Sequence, residues 1–265
     1  MPKANRMTEE QWRTVLDGTH PVVHKTRRVR GRIPANPRCR LCYTPFGGPG
    51  GFLLRRLSRV NEPWEKNPTL CKRCILQISE FEVFGAEIPA TFLFADVRRS
   101  SELARQLDVR EFATLMQRFY ATATNVLFEH QALLDKIVGD EVVGFFLPFM
   151  AGERHPEAAV ATARALFEAV GYGSVEGPWL RLGAGVHTGP AFVGYVSRGE
   201  DSEFTALGDT INVAAHLAAQ AGPGEILVTD AVRASLDVDD LQRRHLSLKG
   251  HELDAFVVRA DAVRA

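Results

Sequence analysis

Thr91-Phe-Leu-Phe-Ala95-Asp96 and Ala132-Leu-Leu-Asp-Lys-Ile-Val-Gly139-Asp140-Glu-Val-Val-Gly-Phe-Phe146 decide how the rest of the chain is read. The first is a continuous apolar run that ends in a carboxylate, the pattern of a buried strand. The second is two strands joined by Gly139-Asp140, a dipeptide suited to a tight hairpin. Between them, Phe112, Leu115, Met116, Phe119, Tyr120, Ala123, Val126 and Leu127 recur at three and four, predicting an amphipathic helix of about five turns. Further on, Pro156 opens a second helix that stops at Gly171. Leu180 to His187 and Ala191 to Val196 are expected as a strand pair around Thr188-Gly189-Pro190, and a third helix runs from about Asp209 to Ala221. Strand Glu225 to Val228, a short helix from Thr229 and two terminal strands complete the chain. Helices interleaved with hairpins predict an α/β (α+β) sandwich with one mostly antiparallel sheet.

Outward from that core the chemistry changes. The chain has 265 residues, with 32 Lys+Arg and 32 Asp+Glu. The balance hides an asymmetry: residues 1–90 hold 16 basic against 8 acidic side chains, and residues 91–265 hold 16 against 24. Apolar residues at 45% and charged residues at 24% exclude disordered and fibrous classes. No apolar run reaches the roughly 18 to 20 residues of a membrane span, and none follows the N-terminal charges as a signal peptide requires. A cytoplasmic protein without a membrane partner is therefore expected. Three parts are expected: a basic arm over 1–38 with a short helix capped by Thr8 and Gln11, a four-cysteine module and connector over 39–87, and a catalytic domain over 88–260. The run Lys25-Thr-Arg-Arg-Val-Arg-Gly-Arg32 could touch phosphates, but no aromatics alternate with its charges, so a solvated arm or strand is expected and nucleic acid is not.

Cys39-x2-Cys42 and Cys71-x2-Cys74 are two CxxC knuckles and contain every cysteine in the chain. Two thiolates from each of two tight turns complete a tetrahedral shell, so the expectation is one structural Zn²⁺. An iron–sulfur cluster or unligated thiols are the alternatives, and without an export signal disulfides are disfavoured. Between the knuckles Gly47-Gly-Pro-Gly-Gly51 is read as a turn and Phe52 to Leu57 as a short amphipathic piece. So small a module has little core, and a metal would supply folding energy.

Asp96 and Asp140 sit at the ends of apolar strands. If those strands are neighbours, both carboxylates emerge at one sheet edge and suit Mg²⁺, which takes oxygen ligands shared with phosphates. Each alone could equally be a helix cap or a turn residue. The order of motifs, however, resembles one family. Phe94-Ala-Asp96-Val-Arg, Asp135-Lys136-Ile-Val-Gly-Asp140-Glu, Gly183-Ala-Gly-Val-His187-Thr-Gly189-Pro and Phe204-Thr205-Ala-Leu-Gly208-Asp-Thr-Ile-Asn212 look like a class III nucleotidyl cyclase domain. Leu246-Ser-Leu-Lys249-Gly250 is similar to its closing motif. The resemblance covers about residues 88–260.

The resemblance implies a ferredoxin-like class III cyclase fold and an adenylate cyclase acting on ATP, with two Mg²⁺ or Mn²⁺ per site. Asp96 and Asp140 match the metal aspartates, and the backbone carbonyl of Val97 an additional ligand. Lys136 and Thr205 match the purine-reading pair in its adenine form; guanine-selecting members generally carry Glu and Cys there. Asn212 matches the residue that orients the ribose, and Lys249 one that reaches the terminal phosphates. Where the family usually has a transition-state arginine, this chain has His216, which opens the alternative of a weak homologue that signals by contact. Because the metal aspartates of one chain face the Lys, Thr and Asn of another, a homodimer is implied. A role for the cysteine module in regulating the catalytic domain completes these expectations.

Overall fold

The computed structural model describes residues 8–57, 61–65, 67–79, 85–130, 132–196, 203–238, 240–248 and 251–260. In chain order the elements are α1 (Glu9–Leu16), α2 (Pro21–Arg30), α3 (Gly48–Leu57), β1 (Pro63–Trp64), β2 (Asn67–Cys71), α4 (Lys72–Ser79), β3 (Gly85–Val97), α5 (Ser100–Gln106) and α6 (Val109–Glu129). There follow β4 (Leu133–Val138), β5 (Glu141–Phe146), α7 (Pro148–Ala151), α8 (His155–Ala169), β6 (Leu182–Val196), β7 (Glu203–Leu207), α9 (Asp209–Gln220), β8 (Glu225–Thr229), α10 (Asp230–Arg233), β9 (Gln242–Leu248) and β10 (His251–Arg259). The chain packs as two units. One draws on residues within 1–89, 147–153 and 191–207, the other on 90–146, 154–190 and 208–265.

In the second unit the strands lie in the order β4-β5-β3-β6-β8-β10-β9. β3, β5 and β4 are antiparallel neighbours, as are β8, β10 and β9, whereas β6 runs parallel to β8. Alternation along a strand sends successive side chains to opposite faces. Accordingly Ile226 and Val228 join a core with Phe119 and Leu127 of α6 and Val160 and Phe167 of α8. Leu227 joins Leu217 of α9 on the other side. Burying each such large side chain contributes roughly 2 to 3 kcal/mol. Gly185 permits the close approach of α9: a Cβ there would lie 2.3 Å from Ala214 O and Ala218 N.

Strand β6 corrects an expectation. Thr188-Gly-Pro190 is read from sequence as a turn between two strands, yet Leu182–Val196 is one strand. The polar residues serve lateral contacts. Thr188 shares a hydrogen bond of 2.6 Å with Thr91, and Pro190 C=O accepts from the Thr210 hydroxyl. Gly189 leaves room for Thr210, whose Oγ1 would lie 2.9 Å from an added Cβ.

In the first unit α1 starts with the expected capping box, the Thr8 and Gln11 side chains each accepting from the other's backbone N–H. Trp12, Val15 and Leu16 are its buried face. The basic stretch is a helix, α2, not an arm or strand; Pro21 occupies its first turn. Arg27 donates to Arg40 O and Phe149 O and lies 4.7 Å from the Tyr43 ring centre, and Arg30 donates to Thr44 Oγ1. These cations hold the unit together. The glycine run after Phe46 is likewise not only a turn, since α3 begins at Gly48. No helix among the described residues is long and apolar enough to cross a membrane.

Candidate active site and four-cysteine centre

β3 and β5 pair with Asp96 opposite Glu141, so the apolar strand delivers its terminal carboxylate beside the β4–β5 turn. Gly139, at φ +60°, makes that turn, and Tyr120 Oη donates to its carbonyl. Val97 N–H donates to Asp140 C=O at 3.1 Å, fastening the turn to the end of β3. The carboxyl of Asp96 is raised above its ordinary range, first by burial and also by Asp140, while Arg98 opposes the shift. Glu141 is pushed up to about 7 by burial and by the charges of Asp96 and Asp140. Two of the predicted carboxylates therefore meet at one edge, and a third, Glu141, joins them. Its signal was available in the register, because the residue after a hairpin turn pairs with the end of the neighbouring strand.

The donor set fits a hard divalent cation. Asp96 Oδ1 is buried and has no hydrogen-bond partner, and the charges raising Asp96 and Glu141 are those a cation would neutralise. Asp96 Oδ2 is paired with Arg98, whose guanidinium also donates to Ala219 O and Ala221 O at the end of α9. Arg98 is part of the quoted motif, but nothing in its spacing announces that it would pair with Asp96 Oδ2.

Lys136 is on β4 just past an irregularity in register between Leu134 and Lys136. Its ammonium is half-exposed, 3.3 Å from Asp135 Oδ2. Asn212 and His216 lie one turn apart on α9. Asn212 is exposed, while His216 is half-buried and its Nε2 is enclosed without a hydrogen-bond partner. Among the described residues no hydrogen bond or ion pair links Lys136, Asn212 or His216 to Asp96 or Asp140. Thr205 belongs to β7, in the first unit, opposite Gly194 of β6. Lys249 lies outside the described residues.

The four cysteines converge within the first unit. Cys39, Cys42, Cys71 and Cys74 are all buried, with their sulfurs within 4.8 Å of one another. Cys39–Cys74 and Cys42–Cys71 are 3.8 and 3.6 Å apart, too far for disulfides. A metal–sulfur bond of about 2.3 Å in a tetrahedron gives a sulfur–sulfur edge of about 3.8 Å. Backbone N–H groups of Cys71 and Cys74 point at Cys39 Sγ and Cys71 Sγ, and Thr44 Oγ1 lies 3.0 Å from Cys42 Sγ. Hydrogen bonding from Cys39 holds Cys42 and Cys71 below the ordinary thiol range, whereas burial raises Cys39. Four sulfurs that close fit a single ion.

An uncharacterized protein of Mycobacterium tuberculosis is 29% identical over 177 residues, covering 63% of this chain and 32% of the relative; one of Mycobacterium bovis matches equally. The chain thus spans about a third of the length of the curated relatives it matches. The guanylyl cyclase Cya2 superposes with a TM-score of 0.59 at 20% identity, covering 66% of this chain and 93% of that one. An adenylyl cyclase from P. aeruginosa gives 0.58 at 23%, covering 66% and 96%. These likenesses establish the mixed α/β fold shared with class III cyclase structures, and they include both purine specificities. The model of the adenylate and guanylate cyclase catalytic domain matches residues 86–260, and the chain belongs to that family.

Proposed function

We propose that this chain is an adenylate cyclase, converting ATP to 3′,5′-cyclic AMP and pyrophosphate at sites shared by two copies of itself. The observation that carries the reading is the carboxylate edge: Asp96 and Asp140 meet at one strand end, and Asp96 keeps a buried oxygen without a partner. Asp96, Asp140 and the Val97 carbonyl would hold Mg²⁺ or Mn²⁺, two ions per site. When bound, the ions acidify the ribose 3′-hydroxyl and offset triphosphate charge. The 3′ oxygen attacks the α-phosphorus in line, and pyrophosphate leaves.

The remaining roles follow from donor and acceptor chemistry. Lys136 donates to adenine N1, and the Thr205 hydroxyl accepts from the exocyclic amine. Guanine presents a protonated N1 and a carbonyl at those positions, so a lysine donor opposes it. Asn212 orients the ribose, and Lys249 reaches the terminal phosphates. A single chain carries the metal aspartates and the base-reading residues for two different sites, so a homodimer with two-fold symmetry completes both. The four-cysteine centre holds Zn²⁺, because four sulfurs within 4.8 Å suit one ion rather than a cluster, in which sulfide-bridged irons hold the thiolates farther apart. That centre regulates the catalytic domain, and the chain works in the cytoplasm.

One observation favours a second reading. His216 stands where an arginine is usual, and a protein with a weakened transition state could bind nucleotide and signal by contact. Cyclic nucleotide output from ATP and GTP, measured side by side with Mg²⁺ and Mn²⁺, separates the readings. Cyclic AMP in excess supports adenylate cyclase, and cyclic GMP in excess overturns the purine assignment. Neither product from a protein that binds nucleotide favours the second reading.

A further inference from the structure

The β6–β7 hairpin that carries Thr205 packs in the same unit as the cysteine centre. Its register sets Gly194 opposite Thr205 and Tyr195 opposite Phe204. Phe204 lines a cavity of only about 10 Å³ together with Leu16, Leu41, Leu70, Ile75 and Phe149. Three of those residues are neighbours of the metal-ligating cysteines in sequence. Leu41 lies between Cys39 and Cys42, Leu70 directly precedes Cys71, and Ile75 directly follows Cys74. Each cysteine-bearing turn therefore contributes a side chain to the cavity that Phe204 also lines. The Tyr195 ring is buried, with its centre 5.4 Å from that of Phe204. At the base of the hairpin, Gly85 leaves no space: an added Cβ would fall 2.2 Å from Val193 O.

We infer that Tyr195 and Phe204 are positioning residues that tie Thr205 to the four-cysteine centre, so that purine selection depends on whether the centre holds its metal. The inference rests on the reading of Thr205 as a base-reading residue. The physical chain is short. A metal bound by all four sulfurs crosslinks the two knuckles, and its loss, with the sulfurs taking up protons, removes that crosslink and lets the knuckles separate. Leu41 then moves away from Leu70 and Ile75, and the small apolar cavity that Phe204 shares with them changes shape, which frees the Phe204 ring to shift. Among the described strands β7 pairs with β6 alone, off the main path of the sheet, so its placement depends on this support. Displacement of a hydrogen-bonding hydroxyl by about 1 Å is enough to degrade its geometry.

The test uses the full chain, metal-replete and after treatment with a chelator, with metal content measured by elemental analysis. Hydrogen exchange of residues 192–196 and 203–207 is compared with that of β8, and kcat/KM for ATP is compared with that for GTP. Metal removal should speed exchange in the hairpin about tenfold while β8 is unchanged, and should lower the ATP-to-GTP ratio about tenfold. Phe204→Ala, or Phe204→Leu if the alanine variant is not recovered folded, should reproduce both effects with the metal still bound. Unchanged hairpin exchange after metal removal would overturn the coupling, as would a Phe204 variant with the parent's ratio and exchange. If Thr205→Ala leaves the ratio unaltered, the base-reading role fails instead, and the exchange measurement alone still decides the coupling.

Discussion

The four-cysteine cluster and the carboxylate edge both offer donor sets that suit a cation, built on opposite plans. At the cysteine centre every ligand is buried, the sulfurs face inward, and N–H groups of the same turns hydrogen-bond them. Nothing is left open for a substrate. At the carboxylate edge the ligands are half-exposed, one oxygen has no partner, and another is shared with Arg98. Soft thiolates in a closed shell contribute folding energy; hard carboxylates on an open edge leave coordination positions for phosphate oxygens. The difference teaches that removing the first site should cost structure and removing the second should cost chemistry.

The comparison can be broken most directly at the cysteines. Cys42→Ser should release the metal and lower the melting temperature of the first unit, because metal binding to such sites contributes folding free energy. Elemental analysis with thermal unfolding checks this, and full metal content with an unshifted transition would refute it. Asp96→Ala or Asp140→Ala should instead leave melting unchanged and lower cyclic nucleotide output by about 10³-fold or more. Mixing Asp96→Ala with Lys136→Ala chains should restore about a quarter of the activity. Half of the randomly formed dimers are mixed, and each mixed dimer has one intact site of two. Mixed dimers without recovery would mean that sites are not shared.

The two regions also differed in how far sequence could describe them. The strand ends of Asp96 and Asp140 and the helical face Phe112 to Leu127 follow from periodicity, because alternating or three-four burial is imposed by the core they line. The cysteine cluster follows from spacing, since a CxxC turn is local. What sequence did not convey were features set by lateral contacts. Thr188-Gly-Pro190 carries turn residues, but Thr91 and Thr210 use them within one long strand. Lys25 to Arg32 carries the charge of an arm, but Arg27 and Arg30 find carbonyl, hydroxyl and aromatic partners elsewhere in the fold. Arg98 on Asp96 and Glu141 beside it belong to the same class: their roles depend on which strand lies next door.

Acid sharpens the contrast within the second unit. His187 is lowered to about 4 by burial, against a weaker opposing effect of Asp209, and its Nδ1 lies 2.7 Å from Thr229 Oγ1. Burial also lowers His155, which is hydrogen-bonded to Thr91. Between about pH 6.5 and 4 the unfolded chain binds the proton that folded His187 refuses, so stability falls as the pH drops through that window. The contribution is fully present above pH 6.5 and amounts to at most about 3 kcal/mol. His187→Asn should flatten the loss when melting is followed from pH 7 to pH 4. An unaltered pH slope would mean that other groups carry the acid sensitivity.

The smallest expected effect is the most informative about chemistry, and it concerns His216. Its Nε2 is enclosed without a partner, one helical turn from exposed Asn212, so the side chain is held in place with a donor or acceptor to spare. If it serves the transition state, only the protonated ring resembles the arginine usual at this position. A guanidinium remains positive at every working pH and offers a bidentate fork, whereas an imidazole titrates near neutrality and offers one donor per nitrogen. His216→Arg should therefore raise turnover by about tenfold, less than the roughly 10² to 10³ of a whole preorganised donor because the ring already supplies part of one. His216→Ala should lower turnover while leaving the ATP-to-GTP ratio unchanged, because the ring acts on the phosphate and Lys136 and Thr205 read the base. Arginine and alanine variants that both match the parent at every pH would place His216 outside the reaction. The transition-state charge would then be met by other groups, with Lys249 and Arg98 the next to be replaced.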